Sequence, residues 1–263
     1  MTTVLILAGM RNEMCPLCEQ AGVVSKGLIK LAGWRMIDHV LRALRDAPVL
    51  TKTIWVSGLD IALIADEAPE DLAETVGRLK QAPTGDGPAS ATLATLEAGA
   101  ELPLLITTCD NPLLTPKMVE YFVHESQAEI SDFSVGLAPR PIIEAAYPDV
   151  KRTYINLGGR GFSGCNLFYV MTDAGRNAVR FWRDVGHNRK RPLKIARRFG
   201  YGTLIRMVTG RLGLKEAFVQ GSKRVGANIK PVLISIAEAA IDVDKPSDLA
   251  LAREILENRI RSV

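Results

Sequence analysis

The sequence has no apolar run of transmembrane length, and Met1-Thr2-Thr3 leads directly into VLILA without the layout of a signal peptide. A cytoplasmic chain is therefore expected. There is no G-x-G-x-x-G fingerprint and no Walker loop, so a nicotinamide-dependent reading loses its main support. Excess charge is also lacking: a net charge of +4 gives no global footprint for nucleic acid. Cysteine is sparse. Cys15-Pro-Leu-Cys18 is a lone C-x-x-C, and neither Cys109 nor Cys165 supplies the second pair that a structural zinc site wants. Redox use would place the motif after a strand at a helix start. The expectation is plain free thiols in a loop.

What is present is a core-forming chain. With 263 residues, 47% of them hydrophobic, one large α/β domain can bury a sizeable interior. Strand-like and helix-like patterns alternate, which predicts a mostly parallel sheet wrapped by helices. Strands are expected at Val4–Ala8, Thr53–Ser57, Pro103–Thr108, Phe133–Leu137 and Val232–Ile236, with strand character also before Val170. Helical spacing marks Met36–Leu44, Asp71–Leu79, the stretch after Ala89, the run opened by Pro116, Ala174–Val185, Leu214–Val219 and Ser247–Ile260. The segment from Gly9 to about Gly33 is polar and contains glycines and cysteines. We expect a single domain over 1–263 with a helical, basic insertion or subdomain at about 172–226.

Five segments carry candidate chemistry. Leu7-Ala8-Gly9-Met10-Arg11 ends the first strand in a glycine, where phosphates or a base could approach the backbone and Arg11 could meet phosphate oxygens. Lys26, near Gly27, could neutralise a triphosphate. Gly87, Pro88 and Ser90 stand where a helix begins and leaves N–H groups free. Asp110 follows a buried strand, at the position where open α/β sheets bind ligands, and could hold Mg²⁺. Asp242 and Asp244, two apart in an extended segment, share a side and could converge on a cation. Each has a plainer alternative: an ordinary strand-to-helix turn, a solvated lysine, a capping turn, or an aspartate capping a turn or the last helix.

Their order along the chain is more telling. A strand ending in LAG is followed by SKGLIKLAGWRMIDHVLRAL, then the Gly87-Pro88-Ala89-Ser90 turn, then TTCDNPLLTPKMV and finally IDVDKPSDLALA. This series resembles the molybdenum-cofactor-type (MobA-like) nucleotidyltransferases, over about 1–135 and from about 228 onward. The resemblance implies a Rossmann-like, GT-A-type three-layer α/β sandwich. It places Ala8, Gly9 and Arg11 in the nucleotide loop and Lys26 on triphosphate oxygens. It places Gly87, Pro88 and Ser90 near base and sugar, Asp110 with Asp242 and Asp244 at the metal, and Gly164 and Asn166 of FSGCNLF on the acceptor side. The family loop usually reads G-G-x-G-x-R; here Met10 follows Gly9, and the stretch from Arg11 to Lys26 is longer.

The expected reaction is transfer of a nucleoside monophosphate from a nucleoside triphosphate to a small phosphorylated acceptor, with Mg²⁺ as cofactor and pyrophosphate released. An acceptor phosphate is already ionised, so no general base is needed and the scarcity of histidine (His39, His124, His187) is no obstacle. His39 is expected to be a packed residue. The acid-free run at 187–198 reads HNRKRPLKIARR. Its Arg189 and Lys190 could receive an anionic acceptor, its apolar interleaving could suit a peripheral membrane contact, or it could be a solvated basic face. Two alternative functions share the fold: a non-catalytic nucleotide-binding or regulatory protein, and a sugar-nucleotide-dependent glycosyltransferase. The second would normally carry an aspartate pair where this chain has Asp110-Asn111. The base, the acceptor and the oligomeric state are left open by the sequence.

Overall fold

The structure is a computed structural model that describes residues 2–9, 15–188, 206 and 209–261. Its frame is an eight-stranded sheet. The strands are β1 (Thr2–Leu7), β4 (Leu50–Ser57), β5 (Leu79–Ala82), β6 (Leu104–Thr108), β7 (Phe133–Pro139), β8 (Ile155–Leu157), β9 (Arg160–Val170) and β10 (Ile229–Leu233); β2 (Lys30–Leu31) and β3 (Trp34–Arg35) form a separate ribbon. The order is β10-β7-β9-β6-β1-β4-β5, with β8 hairpinned onto β9. The β1–β4, β1–β6, β4–β5 and β7–β10 pairings are parallel, whereas β9 runs antiparallel to its neighbours.

Alternation along β1 explains the layering. Val4 and Ile6 face a core shared with α2 (Met36–Arg45) and α6 (Pro116–Ala128). Leu5 and Leu7 face a second core shared with α5 (Pro88–Glu97) and α8 (Gly175–Asn188). A strand covered on both faces needs an uninterrupted apolar run, and all six residues of β1 are buried. The mixed α/β fold, mostly parallel and clad by helices, is the one expected. A third apolar cluster joins α1 (Pro16–Ala21) to the closing helix α10 (Pro246–Arg261) through Leu17, Cys18, Leu113, Ile241 and Val243, and so draws the tail back beside the first third of the chain. Among the described residues, no helix is long and apolar enough to cross a membrane.

Several local expectations change. The Asp71–Leu79 pattern yields only a short helix, α4 (Ala73–Val76), and then β5, an edge strand whose two middle residues are exposed polar side chains. The late strand starts at Ile229, three residues early. The interval Ile61–Asp66 forms α3, capped by Asp60, and Arg140–Ala146 forms α7. Cys15 and Cys18 are not in a loop: Cys15 caps α1 and Cys18 is buried inside it. Within the helical block stand α8, whose Trp182 stacks on Phe168 of β9, and α9 (Leu214–Val225). Residues 189–205 lie outside the described residues.

Candidate active site

The parallel register aligns the carboxyl ends of four strands. Leu7 pairs with Ser57 and with Thr108, and Ser57 pairs with Ala82. The loops after these strands therefore emerge side by side, and they carry most of the sequence candidates. The Ala8–Gly9 loop is tied on both sides. Ala8 N–H donates to the Ser57 carbonyl at 2.8 Å, Cys109 N–H donates to the Leu7 carbonyl at 3.0 Å, and the Ser25 hydroxyl donates to the Ala8 carbonyl at 3.3 Å. Arg11 lies outside the described residues.

Gly58, which sequence reasoning passed over, sits against this loop. Its φ is +84°, and a Cβ there would lie 2.2 Å from Gly9 Cα. Gln81 clamps the Gly58 turn, donating to the Val56 and Leu59 carbonyls at 3.1 and 3.2 Å and accepting from Ile61 N–H at 3.1 Å. Gly58, Leu59, Asp60, Gln81 and Thr84 line an open cavity of about 430 Å³ at this edge. Gly87, with Pro88 in the first turn, starts α5, and Ser90 stands half-buried in it. The Ser57 hydroxyl donates to the Pro83 carbonyl at 2.7 Å and holds the approach to that turn against β4.

On the other side of Gly9's loop the charged residues gather. Ser25 accepts from Gly27 N–H and caps the single turn that carries Lys26. Gly27 packs on Cys109, where a Cβ would be 3.3 Å from the Cys109 Cβ. Lys26 Nζ donates to Asp110 Oδ2 at 3.3 Å and also to Asp244 Oδ1. Burial, the largest influence on the Lys26 ammonium, pulls its pKa down, but Asp110 and Asp244 outweigh it and the net shift is upward. Val243 N–H donates to the Asp110 carbonyl at 2.9 Å, so backbone pairing brings the tail to the strand-end aspartate. The Asp244 carboxylate is engaged by Lys26. Buried Asp248, in the first turn of the last helix, steadies the backbone leading into it: its Oδ2 accepts from the N–H groups of Asp244 and Lys245, each at 3.2 Å.

Asp110, Asp242 and Asp244 each offer an oxygen within 4.8 Å of the others. Convergent carboxylates repel unless cations stand among them. Among the described side chains Lys26 and Arg152 do so, Arg152 pairing with Asp242. Asp110 Oδ1 is buried and has no hydrogen-bond partner. An orphaned buried carboxylate oxygen beside two further carboxylates fits a hard dication with oxygen ligands, such as Mg²⁺.

Of the acceptor-side residues, Asn166 lies at the carboxylate cluster. β9 runs antiparallel to β6, so its first half reaches the same edge as Asp110. Asn166, at a positive φ of 51° where the β7–β9 register shifts, donates Nδ2 to Asp242 Oδ2 at 3.1 Å. Gly164 is exposed, with nothing within 4 Å of an added Cβ. Buried Asn111 donates to the Cys165 carbonyl at 3.4 Å and anchors the Asp110 loop to β9. Arg189 and Lys190 lie outside the described residues. Arg152 and Asn111 were not singled out from sequence. For Asn111 the usable signal was its place directly after Asp110; Arg152 sits in an irregular stretch with none. His39 is half-buried and bonded to the Leu31 carbonyl at 2.8 Å, as a packed residue should be. A larger cavity of about 620 Å³, bounded by α1, α3 and α10, holds none of the three carboxylates, and its Arg35 is engaged by Asp38 and two carbonyls. The carboxylate cluster is therefore the candidate site.

Solved structures share this fold. A hypothetical transferase from Thermus thermophilus superposes with a TM-score of 0.77 at 29% identity, covering 94% of this chain and 99% of that one. A CMP:2-keto-3-deoxy-manno-octonic acid synthetase complexed with CTP gives 0.59 at 12% identity, covering 98% and 100%. A 2-C-methyl-D-erythritol 4-phosphate cytidylyltransferase, also from Thermus thermophilus, gives 0.52 at 18% identity, covering 97% and 98%. The last two bear on the fold alone. No curated protein matches the sequence. The family model of the MobA-like NTP transferase domain matches residues 4–142, more than half of the chain, and the protein belongs to that family.

Proposed function

We propose that the protein is a Mg²⁺-dependent nucleotidyltransferase that moves a nucleoside monophosphate from a nucleoside triphosphate onto a small phosphorylated acceptor and releases pyrophosphate. The observation that carries the reading is the meeting of Lys26 with Asp110 and Asp244, 84 and 218 residues away, at the carboxyl edge of a parallel sheet. In this reading the Ala8–Gly9 loop, the Gly58 turn and the start of α5 receive the nucleotide. Lys26, with Arg11, offsets charge on the departing pyrophosphate. Asp110, Asp242 and Asp244 would hold Mg²⁺, which supplies charge neutralisation between the reacting oxygens when bound. Gly164 and Asn166 border the acceptor, whose ionised phosphate attacks the α-phosphorus without a base. The chain is taken as one nucleotidyltransferase domain, with the basic helical block at about 172–226 as its elaboration. Arg189 and Lys190 are kept there as acceptor-side candidates. The glycosyltransferase alternative is disfavoured because the residue after Asp110 is Asn111, whose side chain is buried and turned to a carbonyl.

The test is pyrophosphate release with Mg²⁺, supplying ATP, CTP, GTP and UTP separately with a panel of phosphorylated sugars, polyols and small phospho-acids. Release with one pair establishes the reaction and names its substrates. Tight triphosphate binding without release from any pair favours the regulatory alternative. No triphosphate binding refutes the proposal.

A further inference from the structure

Asp242 differs from its two neighbours. Asp110 keeps a buried oxygen without a partner, and Asp244 is 64% exposed and engaged by Lys26. Both oxygens of Asp242 already accept from protein donors. Arg152 Nη2 takes Oδ1, and Asn166 Nδ2 takes Oδ2 at 3.1 Å. Arg152 Nη1 also reaches the Asp242 carbonyl at 3.4 Å. Only 11% of the Arg152 side chain is exposed. A dication drawn to this cluster therefore competes with a guanidinium for the same carboxylate. The two cations repel one another across it, and a guanidinium displaced with so little solvent would be left as a largely desolvated, unpaired charge. Such a charge calls for an anion. Gly164, two residues before Asn166 on the same strand, is exposed, with nothing within 4 Å of an added Cβ.

We infer that Arg152 is an exchangeable counter-ion. It neutralises Asp242 in the free protein and turns its guanidinium to a phosphate monoester when a divalent cation takes the carboxylate. A planar fork of donors suits a phosphate oxyanion as well as a carboxylate. Cation and acceptor phosphate then bind cooperatively, because each removes the cost of admitting the other. The inference rests on the proposed nucleotidyl transfer, and it names the residue that receives the acceptor's phosphate.

The test uses the full chain with Mn²⁺ as spectroscopic cation, inorganic phosphate as the acceptor-side probe and inorganic tripolyphosphate as the triphosphate-side probe. Free Mn²⁺ is read by electron paramagnetic resonance and the anions by calorimetry. In the wild type, saturating Mn²⁺ should tighten phosphate binding by about tenfold or more. Arg152→Gln should bind Mn²⁺ at least as tightly as the wild type, keep tripolyphosphate binding and lose the phosphate enhancement to within about threefold. Arg152→Lys, which retains the charge but not the fork, should fall between the two and guards against misfolding of the first variant. Weaker Mn²⁺ binding in Arg152→Gln would make Arg152 a fixed strut and overturn the inference. So would an unchanged phosphate enhancement alongside normal Mn²⁺ and tripolyphosphate binding, which would leave the nucleotidyltransferase reading intact. Failure of the wild type to bind Mn²⁺ or tripolyphosphate would overturn both.

Discussion

Replacing Gly58 by alanine asks how closely the two strand-end loops must approach. Gly58 lies at φ +84°, where a side chain costs about 1–2 kcal/mol. Its new Cβ would stand 2.2 Å from Gly9 Cα, 2.4 Å from Gly9 N and 3.1 Å from the Ala8 carbonyl carbon. These are backbone atoms, held by the hydrogen bonds from Ala8 to Ser57 and from Ser25 to Ala8, so no flexible side-chain end can swing aside. Relief requires one loop to move bodily by about 1 Å, at about 1–3 kcal/mol. The expected loss for Gly58→Ala is therefore about 2–5 kcal/mol, which for a chain of this size lowers the melting temperature by roughly 5–15 °C. Gly9→Ala is the control. Its Cβ would sit 3.7 Å from Gly58 Cα, an ordinary contact, and should change stability by less than about 1 kcal/mol. Urea and thermal unfolding followed by circular dichroism measure both. If nucleotide approaches the Gly9 backbone, Gly9→Ala should still weaken triphosphate binding by about tenfold or more, a loss of about 1.4 kcal/mol. A Gly58→Ala protein within about 0.5 kcal/mol of wild type, or a Gly9→Ala protein equally damaged, would refute the steric argument.

Asp110→Asn should cut Mg²⁺-dependent pyrophosphate release by about a thousandfold or more and leave the melting temperature nearly unchanged, since one of three crowded charges is removed without a cavity. Chelation of divalent metal from the wild type should have the same kinetic effect, and retained turnover in either case would dismiss the metal assignment. Lys26→Met should destabilise the fold by about 1–3 kcal/mol, because Asp110 Oδ2 loses its donor. The folded-state pKa of Lys26 is raised, so its stabilisation is fully present below the ordinary lysine value of 10.5 and is lost as pH climbs through the higher folded value. The wild-type minus variant difference in melting temperature should be level from neutral pH to near 10 and shrink beyond it; a difference that fades on acidification toward pH 7 would contradict this sign. Finally, burial pushes the Cys18 thiol up to about 11 and Cys165 up to about 12, and Cys109 is raised as well. All three are at most 4% exposed, whereas Cys15 is half-buried. A disulfide reagent at pH 8 should titrate one thiol in the native protein and four in denaturant. Two or more fast native thiols would count against the packing of α1.

Much of the architecture was legible from local patterns. The apolar run at Val4–Ala8, the spacing in Met36–Leu44 and Pro116 at a helix start each encode an element by their immediate neighbours. The polar strand β5 was not, because Lys80 and Gln81 at a sheet edge need no apolar alternation; pairing with β4 makes them a strand. Lys26, Asp110 and the IDVD tail stood out by residue type and by order along the chain, and those choices do meet in space. Arg152 and Gly58 carried no such mark, and Asn111 had only its place directly after Asp110. Their importance comes from what they face: Asp242, the Gly9 backbone and the Cys165 carbonyl.

By itself, then, the sequence determined an α/β fold of the nucleotidyltransferase kind and its candidate site residues, because hydrophobic period, turn residues and motif order are local properties of a chain. The tertiary structure alone decided which groups share a site and which are already spent. Charge pairing, steric approach and an orphaned carboxylate oxygen depend on distances between residues that are remote in sequence, and only the packing of the sheet and its returning tail sets those distances.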